Sequence, residues 1–220
     1  RDLAAKKGVK ILSAYVAVRR SSAGIGLWRQ PDSALSTGWD VAKGFYDARW
    51  MRLAFDRAVL IVEPDAGLAV GVGTTMLLQC DLVYIAESAK LTTPFTDLGL
   101  VPENASSLTL PARIGHVRAF ALLGLCEPLS GKDAAAFGIA NAALPAGEVE
   151  ARARAAAVAL SKKPAESLRL TKNLMRNRPA LTERMNEEGK LFGERLKSAE
   201  AAEAFTAFLE RRPPDFAKLG

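Results

Sequence analysis

Between residues 59 and 86 the sequence reads strand, glycine-rich turn, apolar stretch and strand again, an order that points to α/β units, a sheet covered by helices. Residues 59–62 form a short, partly β-branched apolar run; Gly67-Leu-Ala-Val-Gly-Val-Gly-Thr-Thr follows and opens residues 76–78; residues 81–86 resume as a strand. Glycines at 67, 71 and 73 carry no Cβ, so the backbone there can turn tightly and come close to a ligand. The N–H groups of a helix start point outward and hold negative charge. The stretch is neither the dinucleotide fingerprint GxGxxG nor a P-loop, which needs Gly-Lys-Ser/Thr at its end. Close helix packing is the other use such glycines serve.

Around this unit the pattern predicts a buried strand over residues 9–17 and another within 91–98, interrupted by Pro94. After Pro111 the character changes to short helical patterns at 117–123 and 131–137. From residue 148 onward it is nearly all helical: 148–160 is Ala-rich, 164–175 has proline at a first helical position, and 181–196 and 199–209 follow before Pro213-Pro214 stops the last helix. The sequence therefore divides into a β/α core over residues 1–142 and a helical region over 143–220, joined at 145–147.

A chain of 220 residues, 49% of them hydrophobic, can bury a full core. No run of ~18 apolar residues occurs and residues 1–10 are charged, so neither a membrane span nor an export signal is expected, and a cytoplasmic location fits. Cys80 and Cys126 sit among apolar neighbours without metal-ligand spacing; both read as core residues, and no metal is expected. The net charge of +6 comes from Lys and Arg scattered singly or in pairs such as Arg19-Arg20, Lys162-Lys163 and Arg211-Arg212, which suits a polyphosphate ligand as well as a nucleic acid.

Four further pieces sharpen the reading: Cys80-Asp-Leu-Val-Tyr84 shortly after the glycine-rich turn, then Pro94-Phe-Thr-Asp-Leu-Gly-Leu-Val-Pro-Glu103, Arg113-Ile-Gly-His-Val-Arg-Ala119 and Gly138-Ile-Ala-Asn141. In this order and spacing they resemble the crotonase (enoyl-CoA hydratase/isomerase) family. The resemblance implies an α/β crotonase-like (ClpP/crotonase) fold, a β/α superhelical core with a helical C-terminal region that builds a homotrimer or dimer of trimers. It is specific over residues 54–142 and in the tail, whereas residues 1–66 match poorly and the family's opening hairpin is expected to be missing.

What the resemblance implies for the site is specific. Two backbone N–H groups, from Val72 in the glycine-rich turn and from Ile25 in Ser22-Ala-Gly-Ile-Gly-Leu27, hold the oxygen of an acyl-CoA thioester; Gly26 stands where the family carries Asp. Ala23, Gly71, Thr75 and Phe95 line the substrate. The two carboxylates that the family uses to add water fall at Thr75 and Phe95, neither of which exchanges protons at neutral pH. Glu103 sits where the single-glutamate 3-enoyl-CoA to trans-2-enoyl-CoA isomerases carry their base, so a double-bond shift is expected, with Glu103 taking and returning one proton. Starting a helix is the competing role for Glu103.

Asp97 is the reserve carboxylate, facing the same way as Phe95 if the strand there is regularly pleated. Arg211 is a candidate contact to the CoA phosphates. His116, the single histidine, has no nucleophile elbow beside it and reads as a helix-start residue, and Asp81 as a locally bonded one. No cofactor is expected, CoA being part of the substrate, and no nucleic acid. Hydration or another crotonase-type lyase reaction is the rival within the enzymes; a non-catalytic acyl-CoA-binding subunit is the rival outside them.

Overall fold

The computed structural model describes residues 14–21, 24–28, 58–61 and 68–219. In chain order these form β1 (Ala14–Ser21), β2 (Gly24–Trp28), β3 (Ala58–Ile61), β4 (Leu68–Val70) and α1 (Val72–Thr75), which continues as a 3-10 turn, Met76–Gln79. Next come β5 (Val83–Ala86), β6 (Lys90–Thr92), a 3-10 turn (Thr96–Leu98), α2 (Ser106–Ile114), α3 (His116–Leu123), β7 (Leu129–Ser130), α4 (Gly131–Ala136) and β8 (Ala142–Leu144). A 3-10 turn (Ala146–Glu148) leads into α5 (Val149–Ser161), α6 (Ala165–Met175), α7 (Arg178–Arg195) and α8 (Ala199–Glu210), and Phe216–Lys218 is a last 3-10 turn. The strands make a five-stranded sheet of order β2-β1-β3-β5-β8 and a three-stranded one of order β4-β6-β7. Among the described residues no helix is long and apolar enough to cross a membrane.

Two compact units interleave along the chain: one takes Arg1–Leu68, Gln79–Ala89 and Ser130–Met175, the other Ala69–Leu78, Lys90–Leu129 and Arg176–Gly220. The first unit contains the larger sheet, in which β1, β3, β5 and β8 run parallel and β2 pairs antiparallel with β1 at the edge. All four residues of β5 are buried, as expected for an inner strand of a parallel sheet covered on both faces. Asn141 extends the edge beyond β8: its side-chain Oδ1 accepts the Val83 N–H at 2.7 Å and its own N–H donates to the Val83 carbonyl at 2.7 Å. The Ala-rich sequence of α5 buries Val149, Ala153, Ala156 and Ala157, small residues that let helix and sheet approach closely. Asp81, expected to bond locally, pairs with Lys172 of α6 at 2.5 Å across 91 positions.

The second unit is mostly helical. Leu110 and Ile114 of α2, Ala119 and Leu122 of α3, and Ala201, Ala204 and Ala207 of α8 are buried, as are Leu77, Leu78, Leu91 and Phe95. Gly99 marks where the chain passes against α8: a Cβ there would lie 2.8 Å from the Ala201 nitrogen, closer than any side chain tolerates. Its carbonyl accepts Arg195 Nε at 3.0 Å.

Several expectations are corrected. Of the strand expected over 9–17, residues 14–17 are described and belong to β1, which continues to Ser21; residues 24–28, expected as a donor loop, form a second strand with Ser21 opposite Gly24, so β1 and β2 pair as an antiparallel hairpin. The change of character expected at Pro111 falls inside a helix: α2 runs through Pro111, which forgoes one backbone hydrogen bond, because Leu110 and Ile114 on either side are buried. The strand expected within 91–98 is β6, which takes in Leu91 and Thr92 and ends before Pro94. Cys80 is buried as expected, whereas Cys126 is half-buried at φ 55° in a turn, its Sγ 3.0 Å from Thr96 Oγ1.

Candidate active site

Strand β4 ends at Val70, and Gly71 adopts φ 54° and ψ −118°, a conformation open to glycine and closed to residues with a Cβ. Its N–H donates to the Thr92 carbonyl at 2.9 Å, and its carbonyl accepts the N–H groups of Thr74 and Thr75 at 2.9 and 3.0 Å. The Thr74 hydroxyl shares its proton between the carbonyls of Ala69, at 2.9 Å, and Thr92, at 3.1 Å, fastening the turn to both strands. What the short helix does not use is its first two amides: the N–H groups of Val72 and Gly73, which precede those of Thr74 and Thr75, find no acceptor in their own helix.

Close packing does not account for the glycines of this turn. A Cβ on Gly71 would meet Phe95 Cε1 at 4.0 Å and one on Gly73 would meet Ala69 Cβ at 3.9 Å, both ordinary contacts. Gly71 is needed for its backbone angles, and Gly73 leaves space. Gly67 and Ala23 lie outside the described residues.

Glu103 reaches this turn. Thr75, fully buried, donates its hydroxyl to Glu103 Oε1 in a short hydrogen bond. Phe95, 5% exposed, stacks edge-to-face on Phe192 of α7 with ring centroids 6.5 Å apart, and Leu100 is buried beside it, its N–H on the Phe95 carbonyl at 2.7 Å. Burial disfavours the charged form of Glu103, and the Glu188 carboxylate adds to this; the Thr75 hydroxyl works the other way by bonding the charged form. The balance lifts the Glu103 carboxyl from an ordinary 4.5 to about 7.

Glu103 does not start a helix. Residues 101–103 are irregular, Asn104 and Ala105 follow at φ 61° and 54°, and α2 begins only at Ser106. The negative charge at that helix start is supplied by Glu188 of α7, a residue that sequence reasoning missed: its Oε2 accepts the Ala105 N–H at 2.5 Å and its Oε1 the Ser107 N–H at 3.0 Å. Glu187-Glu188 looks like a solvated pair within an amphipathic helix, and only the tertiary packing that leaves Glu188 4% exposed reveals it.

The other candidates fall on further elements. Ile25 lies in β2 opposite Arg20, in the first unit, while Val72 is in the second. Asp97 falls in a 3-10 turn rather than a pleated strand and is exposed where Phe95 is buried. Arg211 caps the end of α8 at φ 55° and is exposed. His116 opens α3, exposed and stacked on Phe120 at 5.9 Å. Among the described residues no group of three or more His, Cys, Asp and Glu side chains converges as a metal site.

Against known proteins, residues 38–218 match the family model described as Enoyl-CoA hydratase/isomerase. A probable enoyl-CoA hydratase of Bacillus subtilis (strain 168) is 34% identical over 159 residues, 71% of this chain and 62% of that protein. Enoyl-CoA delta isomerase 2 of Rattus norvegicus is 32% identical over 149 residues, 67% of this chain and 38% of that one. The chain thus spans about three fifths of the bacterial relative's length. The crystal structure of an enoyl-CoA hydratase/isomerase from Pseudoalteromonas atlantica T6c superposes with a TM-score of 0.72 at 32% identity, covering 84% of this chain and 73% of its own.

Proposed function

This chain belongs to the enoyl-CoA hydratase/isomerase family, and from that premise we propose that it moves a double bond within an acyl-CoA thioester. The observation that carries this reading is the carboxyl that reaches the glycine-rich turn among the described residues, Glu103, poised at about 7 and bonded to Thr75. A group with that pKa is half ionised at neutral pH, so it takes a proton and gives it back with little cost either way.

The reaction runs in two proton transfers. Glu103 removes a proton from C2 of a 3-enoyl thioester, and the electron pair left behind moves onto the thioester oxygen. The Val72 N–H holds that oxygen; a preorganised donor of this kind contributes roughly 2.7–4 kcal/mol. The Glu103 carboxylic acid then returns the proton to C4, the electrons flow back, and the double bond ends between C2 and C3. Thr75 keeps the carboxyl aimed, and Phe95, beside Gly71, shapes the acyl side of the site. No cofactor is required, CoA being part of the substrate. Arg211 serves the CoA phosphates, and the functional assembly is a cytoplasmic homotrimer or dimer of trimers.

Likeness to the rat enoyl-CoA delta isomerase 2 favours this reading, while likeness to the Bacillus probable hydratase favours water addition as the second one. Incubation with a 3-enoyl-CoA, followed by the ultraviolet absorbance of the conjugated 2-enoyl thioester, decides between them when run beside crotonyl-CoA. The expected result is isomerisation lost by ~10²–10⁴-fold in Glu103→Gln. A fast hydration of crotonyl-CoA, or full isomerase activity in that variant, would overturn the proposal; CoA binding by calorimetry without either reaction would indicate a binding subunit.

A further inference from the structure

We infer that Glu188 is a positioning residue for Glu103: a buried carboxylate that closes the start of α2 and thereby fixes the left-handed turn from which Glu103 projects. The inference rests on Glu103 being the proton carrier, although the contacts that support it do not.

Residues 103–107 make an unusual passage. Asn104 and Ala105 both adopt left-handed backbone angles, at φ 61° and 54°, a conformation unfavourable to an alanine. Ala105 occupies the cap position of α2, where its methyl offers no acceptor for the free amides of the first turn. Glu188 takes over that role from another helix, 83 positions away for Ala105 and 81 for Ser107, with one carboxylate oxygen on each N–H. A carboxylate is 4% exposed only when both oxygens find donors, and a helix start is where its charge is welcome.

The other side of the same turn is fixed by Ser106. Its N–H and its hydroxyl both donate to the Glu103 carbonyl, at 3.1 and 2.6 Å, and the residue is fully buried. The backbone of Glu103 is thus tied forward to Ser106, and Ser106 lies between the two amides that Glu188 holds. Release of Glu188 frees the Ala105 step, and the Glu103 carboxyl loses its fixed distance to Thr75 and to the glycine-rich turn. The polar groups acting on the Glu103 carboxyl are Thr75 from α1 and Glu188 from α7, so Glu188 also bears on its charge.

The test is Glu188→Gln, which keeps the shape but removes the charge and one acceptor. Glu103 is titrated by carbon-13 NMR of its carboxyl, and kcat and KM are measured for 3-enoyl-CoA. A positioning role gives a Glu103 midpoint below that of the wild type, kcat lowered by ~10–10²-fold, and KM little changed. A merely structural role would leave the midpoint where it was, and an unmoved midpoint with full kcat overturns the inference. Loss of activity in Glu103→Gln alone would then leave the proposed function standing. Conversely, absence of isomerisation in every form would sink the proposed function, while the titration still judges Glu188. Should the variant not fold, the wild-type protein carries the test: the Ala105 and Ser107 amide protons are expected downfield and slow to exchange together, and rapid exchange of both overturns the inference.

Discussion

Of the helix starts in the second unit that follow residues at positive φ, two flank the candidate site: Gly71 at 54° precedes α1, and Asn104-Ala105 at 61° and 54° precede α2. At the first, the residue is a glycine and the Val72 and Gly73 amides are left unclaimed by their own helix. At the second, the residues are not glycines and a buried carboxylate from α7 takes the Ala105 and Ser107 amides. An exposed helix start at a fastened glycine turn is equipped to receive a negative charge that comes and goes. A filled one is equipped to hold still the side chain that precedes it. Glu103 belongs to the second and reaches toward the first through Thr75.

The largest effect that sharpens this contrast comes from the carboxyl between them. Glu103 has a folded-state pKa near 7 against an ordinary 4.5, so between those values the folded protein binds more protons than the unfolded one. Stability therefore falls as pH rises from about 4.5 to 7, by up to ~3 kcal/mol, and is restored as pH drops. Glu103→Gln, which retains an acceptor for Thr75, should lose this dependence. Urea denaturation of both proteins at pH 4.5, 6 and 8 checks it: parallel curves would mean that the carboxyl is not buried against Thr75 at all.

Next in size is Gly71→Ala. The new methyl has room, 4.0 Å from Phe95, so any cost must come from the backbone, where φ 54° with ψ −118° strains an L-residue by roughly 1–3 kcal/mol. The melting temperature should fall and, because the turn carries the Val72 amide, kcat should fall with it. A variant as stable and as fast as the wild type would show that the turn relaxes freely, and the distinction between the two helix starts would lose its basis.

Much of this frame is legible in the residues themselves. The strands at 58–61 and 83–86, the glycine turn, and the helices from 149 onward follow from apolar periodicity and from glycine and proline placement, because each is decided by its own few neighbours. Glu103 is legible through the motif that ends in it. What stays hidden is decided across distance: α2 persists through Pro111 because its flanks are buried, and the Thr75–Glu103 bond joins residues 28 apart. Glu188 is the clearest case, since Asn186-Glu187-Glu188-Gly189 carries every mark of a solvated helix face until the start of α2 is folded against it.

The smallest effect probes the filled helix start from its own side. Ala105→Gly removes the left-handed penalty of about 1–2 kcal/mol, which favours the variant. Against it stand the extra freedom of glycine in the unfolded chain, about 0.5–1 kcal/mol, and the loss of a fully buried methyl, about 0.8 kcal/mol. The contributions nearly cancel, so the change in unfolding free energy should stay within about 1 kcal/mol of zero. Gly71→Ala and Ala105→Gly thus exchange the same two residue types at nearly the same φ with unequal results. Thermal melts of the two variants side by side measure the inequality. A loss at position 105 as large as the one at 71 would mean that the Ala105 methyl, rather than the grip of Glu188 on its N–H, is what holds the second turn.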